Sequence, residues 1–535
     1  MADGRLWRPA VNHPRRLLPL LTLAVASLLM PGPAAAAGEP AGYEHFHTYA
    51  EVKAGIDAAV AGHPDIIRSL SIGESHQGRQ IWAVKISDNV AVDEDEPEVF
   101  INAQIHARER ISNEMAMYLI DLLTSGYGDN QRLTDIVDSR EIWIVPTVNP
   151  DGAEYDMSDG VFRKWRKNRQ PIPGSDAVGV DLNRQFGFAW ACCGGSSNKP
   201  SSDYYRGPSA WIAPEARAYR DFVESRVVNG RQQIRAILSL HAAGRQVLWP
   251  YAYTRTNVPR TMTREDHRAF VALARQMAEL NGYRAEQGSD LYIVDGDQDD
   301  WAYHDQRIFA LTIEMAAGSR IRQYPSASEV AADLERNRPA VLLLLEQADC
   351  PYRLAGLGAT RCGPLNDDFE ISRGWTFSPD DGTGWERARP RYSATSAGVK
   401  QRGVAASGQA ALVTGAARGA GAAANDVDGV TTTDSPTVEL GTGAWTVSFR
   451  YTFAHNSSAT SADYLRLSVV DGATTTALWT LNGSPTERNA RWRTSTADLS
   501  AWAGKTIRLQ FEAVDGGSDN IVEAVVDNVR VYQAP

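Results

Sequence analysis

The chain has 535 residues, 43% of them hydrophobic and 22% charged, with a formal net charge of -11. That length exceeds one ordinary core, and the apolar share is enough to fill two. The acidic balance argues against a nucleic-acid partner.

The first 37 residues read as a signal peptide. Arg15-Arg16 precedes the apolar stretch Leu17 to Met30, and Pro31-Gly32-Pro33 leads into Ala34-Ala35-Ala36-Ala37, an A-x-A cleavage pattern. The apolar run is too short to cross a bilayer comfortably, and no later stretch is long enough, so a secreted and soluble mature protein is expected. A helical pattern from Tyr43 to Val60 follows almost at once, leaving no room for a large folded prosegment.

From there to about residue 354, apolar strand patterns alternate with amphipathic helical ones. Strands are expected at Ile81 to Ile86, Val99 to Ala103, Glu141 to Pro146, Ile234 to His241 and Phe309 to Met315. Helices are expected at Ser112 to Thr124, Pro214 to Val228, Arg264 to Leu280 and Ser328 to Ala348. This alternation predicts an α/β domain over 43–354, a mixed sheet with helices on both faces, whose ligand site lies beyond the carboxyl ends of the strands. The acidic loop Asp93-Glu94-Asp95-Glu96 with Glu98 offers hard oxygen ligands for a structural Ca²⁺, with a solvated charge run as the competing reading.

Near Leu365 the composition shifts to Gly, Ala, Ser and Thr. Alternating runs at Ala444 to Tyr451, Tyr464 to Val469, Thr506 to Phe511 and Val525 to Tyr532 predict an antiparallel β-sandwich over 365–535. Asp368-Phe369-Glu370, Gly374-Trp375 and Val526-Asp527-Asn528-Val529 give it a jelly-roll look. No catalytic constellation occurs in it; binding of carbohydrate or a cell surface, and plain stabilisation, stay open. The four cysteines, Cys192, Cys193, Cys350 and Cys362, point to disulfides in an exported chain. Three pairings are possible: Cys350 and Cys362 bracket a short segment, and the adjacent Cys192-Cys193 can bond to each other or elsewhere.

The chemistry concentrates at three positions. His106 and Glu109 stand three residues apart just after Val99-Phe100-Ile101, and His241 ends the apolar run Ile237-Leu238-Ser239-Leu240. Two imidazoles and a carboxylate at strand ends can hold one Zn²⁺ with a fourth position open, the pattern of a catalytic rather than a structural site. Arg108, Arg166 and the Asn183-Arg184 pair accompany the metal set, and so many guanidinium groups call for an anionic ligand. Downstream, Tyr292 offers a phenol and Glu314 a carboxylate near the end of a strand pattern.

Seven ordered segments carry a family likeness: Ser71-Ile72-Gly73 with Gly78-Arg79, His106-Ala107-Arg108-Glu109, Asn149-Pro150-Asp151-Gly152, Trp165-Arg166-Lys167, Asp181-Leu182-Asn183-Arg184, Tyr205-Arg206-Gly207-Pro208 and Thr312-Ile313-Glu314. Over 43–354 the chain resembles the zinc metallocarboxypeptidases of the carboxypeptidase A and B family, with the bacterial carboxypeptidase T branch as its nearest likeness. The resemblance implies an exopeptidase that hydrolyses the last peptide bond of peptides and proteins. It makes His106, Glu109 and His241 the ligands of one Zn²⁺ per chain, Glu314 the general base and Arg166 the oxyanion donor. Asn183 and Arg184 would clamp the terminal carboxylate, Tyr292 would close over the bound residue, and Arg108 would act further upstream.

In that family the residue two places before Trp301, here Asp299, lines the base of the pocket for the departing side chain. A buried carboxylate welcomes a cation, so a preference for C-terminal Lys or Arg is expected, with some activity on apolar ends. Two departures stand out. His241 is followed by Ala242-Ala243-Gly244 where the family has Ser or Thr and then Tyr, which predicts changed affinity rather than lost chemistry. Glu314 is followed by the apolar Met315-Ala316-Ala317-Gly318. A zinc hydrolase of cell-wall peptides and a non-catalytic peptide-binding protein are the alternatives; the complete ligand set, the base and the Asn183-Arg184 pair favour the exopeptidase.

Overall fold

The computed structural model describes residues 46–533 apart from 229, 316–323, 380–383, 416–420, 425 and 517–519. The expected signal peptide, and the residues that follow Met315, lie outside the described residues. The first helix, α1 (Tyr49–Gly62), begins at a capping box: the Thr48 hydroxyl accepts from the Glu51 amide while the Glu51 carboxylate accepts from the Thr48 amide. Two antiparallel strands follow, β1 (Ile67–Glu74) and β2 (Gln80–Ile86), then β3 (Glu98–Ala103), helix α2 (Arg110–Gly126) and β4 (Glu141–Val145).

Helix α3 (Pro214–Ser225) leads toward β5 (Ile234–Ala242) and β6 (Gln246–Trp249). Helix α4 (Arg264–Asn281), β7 (Arg284–Gln287), α5 (Gln298–Gln306), β8 (Phe309–Met315) and α6 (Ala327–Gln347) complete this part. The eight strands form one mixed sheet in the order β1-β2-β4-β3-β5-β8-β6-β7, with its central strands β4, β3, β5 and β8 parallel. Because both faces of these strands are covered, they read as continuous apolar runs; every residue of β3 is buried.

Alternation along the strands divides the core in two. Val99, Ile101, Leu238 and Leu240 pack against α1, α2, α4 and α6, whereas Phe100, Ile237 and Ala310 pack against α3 and Trp301. Each fully buried Val, Leu, Ile or Phe among them contributes about 1.5–3 kcal/mol. Helix α2 is buried along most of its length, polar residues included. Several of its polar groups find partners: the Ser112 hydroxyl donates to the Glu109 carbonyl (2.5 Å), and the Asn113 side-chain amide to the Pro146 carbonyl (3.0 Å).

Past residue 364 the regular structure of the described residues is all β apart from short 3₁₀ turns. One sheet runs Trp385–Ala388, Ala411–Thr414, Val522–Gln533, Trp445–His455 and Arg493–Asp498. The other runs Thr376–Ser378, Gly429–Asp434, Thr506–Asp515, Tyr464–Asp471 and Thr474–Asn482. Val447, Phe449, Leu465, Leu467, Leu509 and Phe511 meet between the two sheets, as the period-two pattern requires. Among the described residues no helix is long and apolar enough to cross a membrane.

The junction between the α/β body and the sandwich is charged. Arg307, in left-handed backbone geometry just after α5, reaches Glu370 (3.2 Å) and Asp368 (3.7 Å), and its side chain is only 6% exposed. Nearby, Cys350 bonds Cys362, closing one of the pairings left open by the sequence. Replacing Arg307 with Ala removes the shared cation, leaving Glu370 with the Gln409 and Ala410 amides and Asp368 with Arg373 and Arg361 nearby, so urea denaturation should register a loss of about 1.5–3 kcal/mol.

Candidate active site

Strand register brings the metal ligands together. Ala103 at the end of β3 lies opposite Leu240 of β5, so the chain leaving β3 emerges beside His241. It turns at Gln104, which has φ 51°, and delivers His106 and Glu109 immediately before α2. On the other side of β5, Glu314 of β8 is paired in parallel register with His241. The site therefore sits at the carboxyl edge of the sheet between β3 and β5, where the chain leaves β3 for β4 on one side and β5 for β6 on the other.

His106 Nδ1 is 2.9 Å from Glu109 Oε1, His241 Nδ1 is 3.0 Å from Glu109 Oε2, and the two Nδ1 atoms are 3.1 Å apart. All three side chains are buried. Ligand atoms held at about 2.0–2.1 Å from a tetrahedral zinc stand roughly 3.3 Å from one another, so this cluster fits the ion. Its chemistry fits as well: two lone-pair nitrogens and a carboxylate face one point with too few protons to satisfy one another, and a cation resolves that conflict. Burial opposes ionisation of Glu109, but His106 and then His241 outweigh it and hold the carboxyl well below the ordinary range.

A second carboxylate organises the surrounding charges. Asp181 Oδ1 lies 3.2 Å from His106 Nε2, the imidazole nitrogen turned away from the other ligands. Asp181 Oδ2 accepts from Arg166 Nε (3.0 Å) and lies 3.8 Å from Arg184 Nη1. Although fully buried, Asp181 is held well below the usual carboxylate range, because Arg166, Arg184 and His106 together overcome desolvation. Sequence reasoning placed Asp181 in a motif without a role; its part as a hub becomes visible only once residues 106, 166 and 184 meet.

A cleft of about 540 Å³, partly open to solvent, is lined by His106, His241, Glu314, Arg166, Asn183 and Arg184, with Tyr292 and Asp299 also on its wall. Arg184 donates from Nε to the Gly195 carbonyl (3.0 Å) and from Nη1 to the Asn183 carbonyl (2.7 Å). Its Nη2 is buried with no hydrogen-bond partner among the described residues. Asn183 donates to Asp297 Oδ1 (2.8 Å) and accepts from the Gln298 amide (3.0 Å). Tyr292 is 44% exposed at the rim. Arg108 stands outside this lining, donating to Asp203 Oδ2 (2.9 Å) and the Lys164 carbonyl (3.2 Å).

Burial, reinforced by Glu109 and offset by His241, pushes the Glu314 carboxyl up to about 7. Gly244 guards its position: a Cβ there would come within 2.8 Å of the Glu314 Cβ and collide with the Gln246 side chain. At the far end of the cleft, Asp299 Oδ2 accepts from the Thr312 hydroxyl (2.8 Å), while Oδ1 is buried with no hydrogen-bond partner among the described residues. Desolvation, then Asp297, raises the Asp299 carboxyl well above its ordinary value.

Helix α5 and the Tyr204 ring also went unread in the sequence. Residues 298–306, absent from the helices expected from the sequence, form α5, because Asp297 caps it by accepting from the Asp299 and Asp300 amides (3.1 and 3.3 Å). Tyr204 places its ring 5.2 Å from the Arg166 guanidinium carbon and 5.7 Å from that of Arg184.

A family model described as zinc carboxypeptidase matches residues 52–340. The chain belongs to the zinc carboxypeptidase family. It is therefore a zinc-dependent peptide hydrolase, with a metal set of the kind such an enzyme needs. It is 44% identical over 318 residues to a zinc carboxypeptidase from Saccharothrix mutabilis subsp. capreolus, covering 59% of this chain and 73% of that relative. It is 30% identical over 314 residues to carboxypeptidase A1 of Sus scrofa, covering 58% and 72%. A crystal structure of thrombin activatable fibrinolysis inhibitor superposes with a TM-score of 0.51 at 27% identity, covering 57% of this chain and 75% of that one.

Replacement of Asp181 by Asn removes the carboxylate behind His106. A competition titration against a chelator should show zinc affinity reduced about 10- to 100-fold, with circular dichroism unchanged.

Proposed function

We propose that this chain is a secreted exopeptidase of the carboxypeptidase T kind, releasing C-terminal Lys and Arg in preference to apolar residues. The chemistry is assigned to a catalytic domain at 43–354, with an accessory domain at 365–535. The observation that carries the preference is the buried, unpartnered Oδ1 of Asp299 on the wall of the cleft. A cationic side chain entering there supplies the missing partner, whereas an apolar one leaves a desolvated carboxyl unmatched. Arg184 Nη2, without a hydrogen-bond partner among the described residues, is suited to one oxygen of the terminal carboxylate.

His106, Glu109 and His241 would hold the zinc, which would supply Lewis acidity and lower the pKa of water to about 7. Glu314 takes the proton of the attacking water and hands it to the departing amine, a task matched to a carboxyl pushed up to about 7. Arg166, anchored through Nε on Asp181, aims its remaining donors at the oxyanion. Asn183 and Arg184 fix the terminal carboxylate, Tyr292 closes from the rim, and Arg108 serves the upstream peptide. Two disulfides agree with export.

Peptides ending in Arg, Lys, Phe and Leu test this reading directly. Release should be fastest from the Arg and Lys ends, vanish with a chelator, and fall about 10²- to 10⁴-fold in Glu314→Gln. Asp299→Ile should lower the ratio of kcat/KM for Arg-ended over Phe-ended peptides by about 10². An unchanged ratio would refute the pocket assignment.

A structural Ca²⁺ at the acidic loop is part of the same proposal. Of the acidic residues named from the sequence, Glu94 and Glu96 converge with Asp88, which that reading did not include, whereas Asp93 and Glu98 pair with Arg226; Glu94 Oε2 and Glu96 Oε2 are buried without hydrogen-bond partners among the described residues. Burial, then Asp88 and Glu94, lifts the Glu96 carboxyl from 4.5 to about 7. A raised carboxyl makes the calcium-free fold lose stability as pH climbs from 4.5 toward 7, whereas the ion binds the ionised form. Calcium should therefore raise Tm clearly at pH 8 and progressively less below pH 7; equal Tm with and without calcium at pH 8 rules the site out.

A further inference from the structure

The bond between the adjacent residues Cys192 and Cys193 serves no purpose in the reaction proposed above, yet it stands two residues from a group that does. Both cysteines are exposed, on a turn that passes through left-handed backbone at Ala189 (φ 51°) and Ala191 (φ 55°). This turn leads into Gly195, whose carbonyl accepts from Arg184 Nε (3.0 Å).

Gly195 is pressed against the segment that follows Tyr292. A Cβ at residue 195 would lie 2.5 Å from the Ile293 carbonyl oxygen and 2.5 Å from the Val294 Cα, so only glycine permits this backbone approach. Two residues earlier, the Cys193 amide donates to Asp295 Oδ2 (3.2 Å), and Asp295 is only 1% exposed. A second tie runs from the Phe186 amide to the Gly296 carbonyl (3.1 Å). The chain near residue 195 is thus held at one end by a covalent ring between neighbours and along its side by residues 293–296. Arg184 takes its orientation from the carbonyl in between.

We propose that the Cys192–Cys193 disulfide, with Asp295, positions Arg184 by fixing the turn that presents the Gly195 carbonyl. This inference rests on the reading of Arg184 as the clamp for the terminal carboxylate. Closing a ring across one peptide bond removes rotations that would let the turn relax, and a clamp displaced by as little as about 1 Å forfeits much of its effect. The clamp holds substrate and transition state alike, so its loss appears in KM rather than in kcat.

The test compares the full-length zinc-loaded enzyme with the double variant Cys192→Ser/Cys193→Ser, with Asp295→Ala and with Asp295→Asn, on a peptide ending in Arg. The double variant and Asp295→Ala should raise KM about tenfold and leave kcat within twofold, and the inhibition constant of free arginine should rise by the same factor. Asp295→Asn, which keeps an acceptor for the Cys193 amide, should restore KM. Treating the wild-type enzyme with a trialkylphosphine should reproduce the effect, and the double variant should not respond: the sulfur–sulfur bond breaks, two thiols form, and the phosphine takes its oxygen from water. Unchanged KM in the double variant and in Asp295→Ala overturns the inference, as does a loss confined to kcat. Failure of the wild-type enzyme to release any C-terminal residue overturns the exopeptidase reading instead.

Discussion

Parallel pairing of β3, β5 and β8 is the constraint from which the rest of the site follows. It sets Ala103 against Leu240 and His241 against Glu314, so residues more than 200 positions apart arrive at one edge without any long loop having to find its place. A one-residue slip would turn His241 or Glu314 to the opposite face. The apolar alternation of Phe100, Ile101, Ile237 and Leu238 between two separate cores makes such a slip expensive. The precision of the metal set is in this sense a by-product of hydrophobic packing some distance away.

Charge balance forms a second layer built on that scaffold. Glu109 and Asp181 are both buried and both ionised, and each is stabilised by the groups it arranges: the imidazoles around Glu109, and His106, Arg166 and Arg184 around Asp181. Asp299 is the counterexample. It is equally buried but has only Asp297 for electrostatic company, and its carboxyl resists ionisation. Three buried carboxyls around one site thus fall into two states, two ionised and one resisting ionisation, set by what surrounds each and not by residue type.

Much of this was legible in the sequence because the informative segments are long and apolar. The runs at 99–103, 234–241 and 309–315 announce fully buried strands, and the amphipathic stretch at 264–280 announces α4 to within a residue. The edge strands β1 and β7, and β6 beside β7, escaped notice: β6 and β7 have four residues each, and β7, Arg284-Ala285-Glu286-Gln287, has no apolar pattern to show. Helix α5 was missed for a related reason, since Gln298-Asp299-Asp300 reads as an acidic loop until Asp297 is recognised as its cap. Residues 106, 109, 241 and 314 could be singled out by type and spacing. The role of Asp181 could not, because it depends on three partners from other segments.

The Cys350–Cys362 bond spans the short connection between the α/β body and the sandwich. A cut by another protease anywhere in residues 351–361 would therefore sever the backbone without separating the two parts. They would stay joined through sulfur, with Arg307 still seated between Asp368 and Glu370. In surroundings that hold other proteases, continuity of this molecule depends on its oxidation state at that point more than on an unbroken main chain.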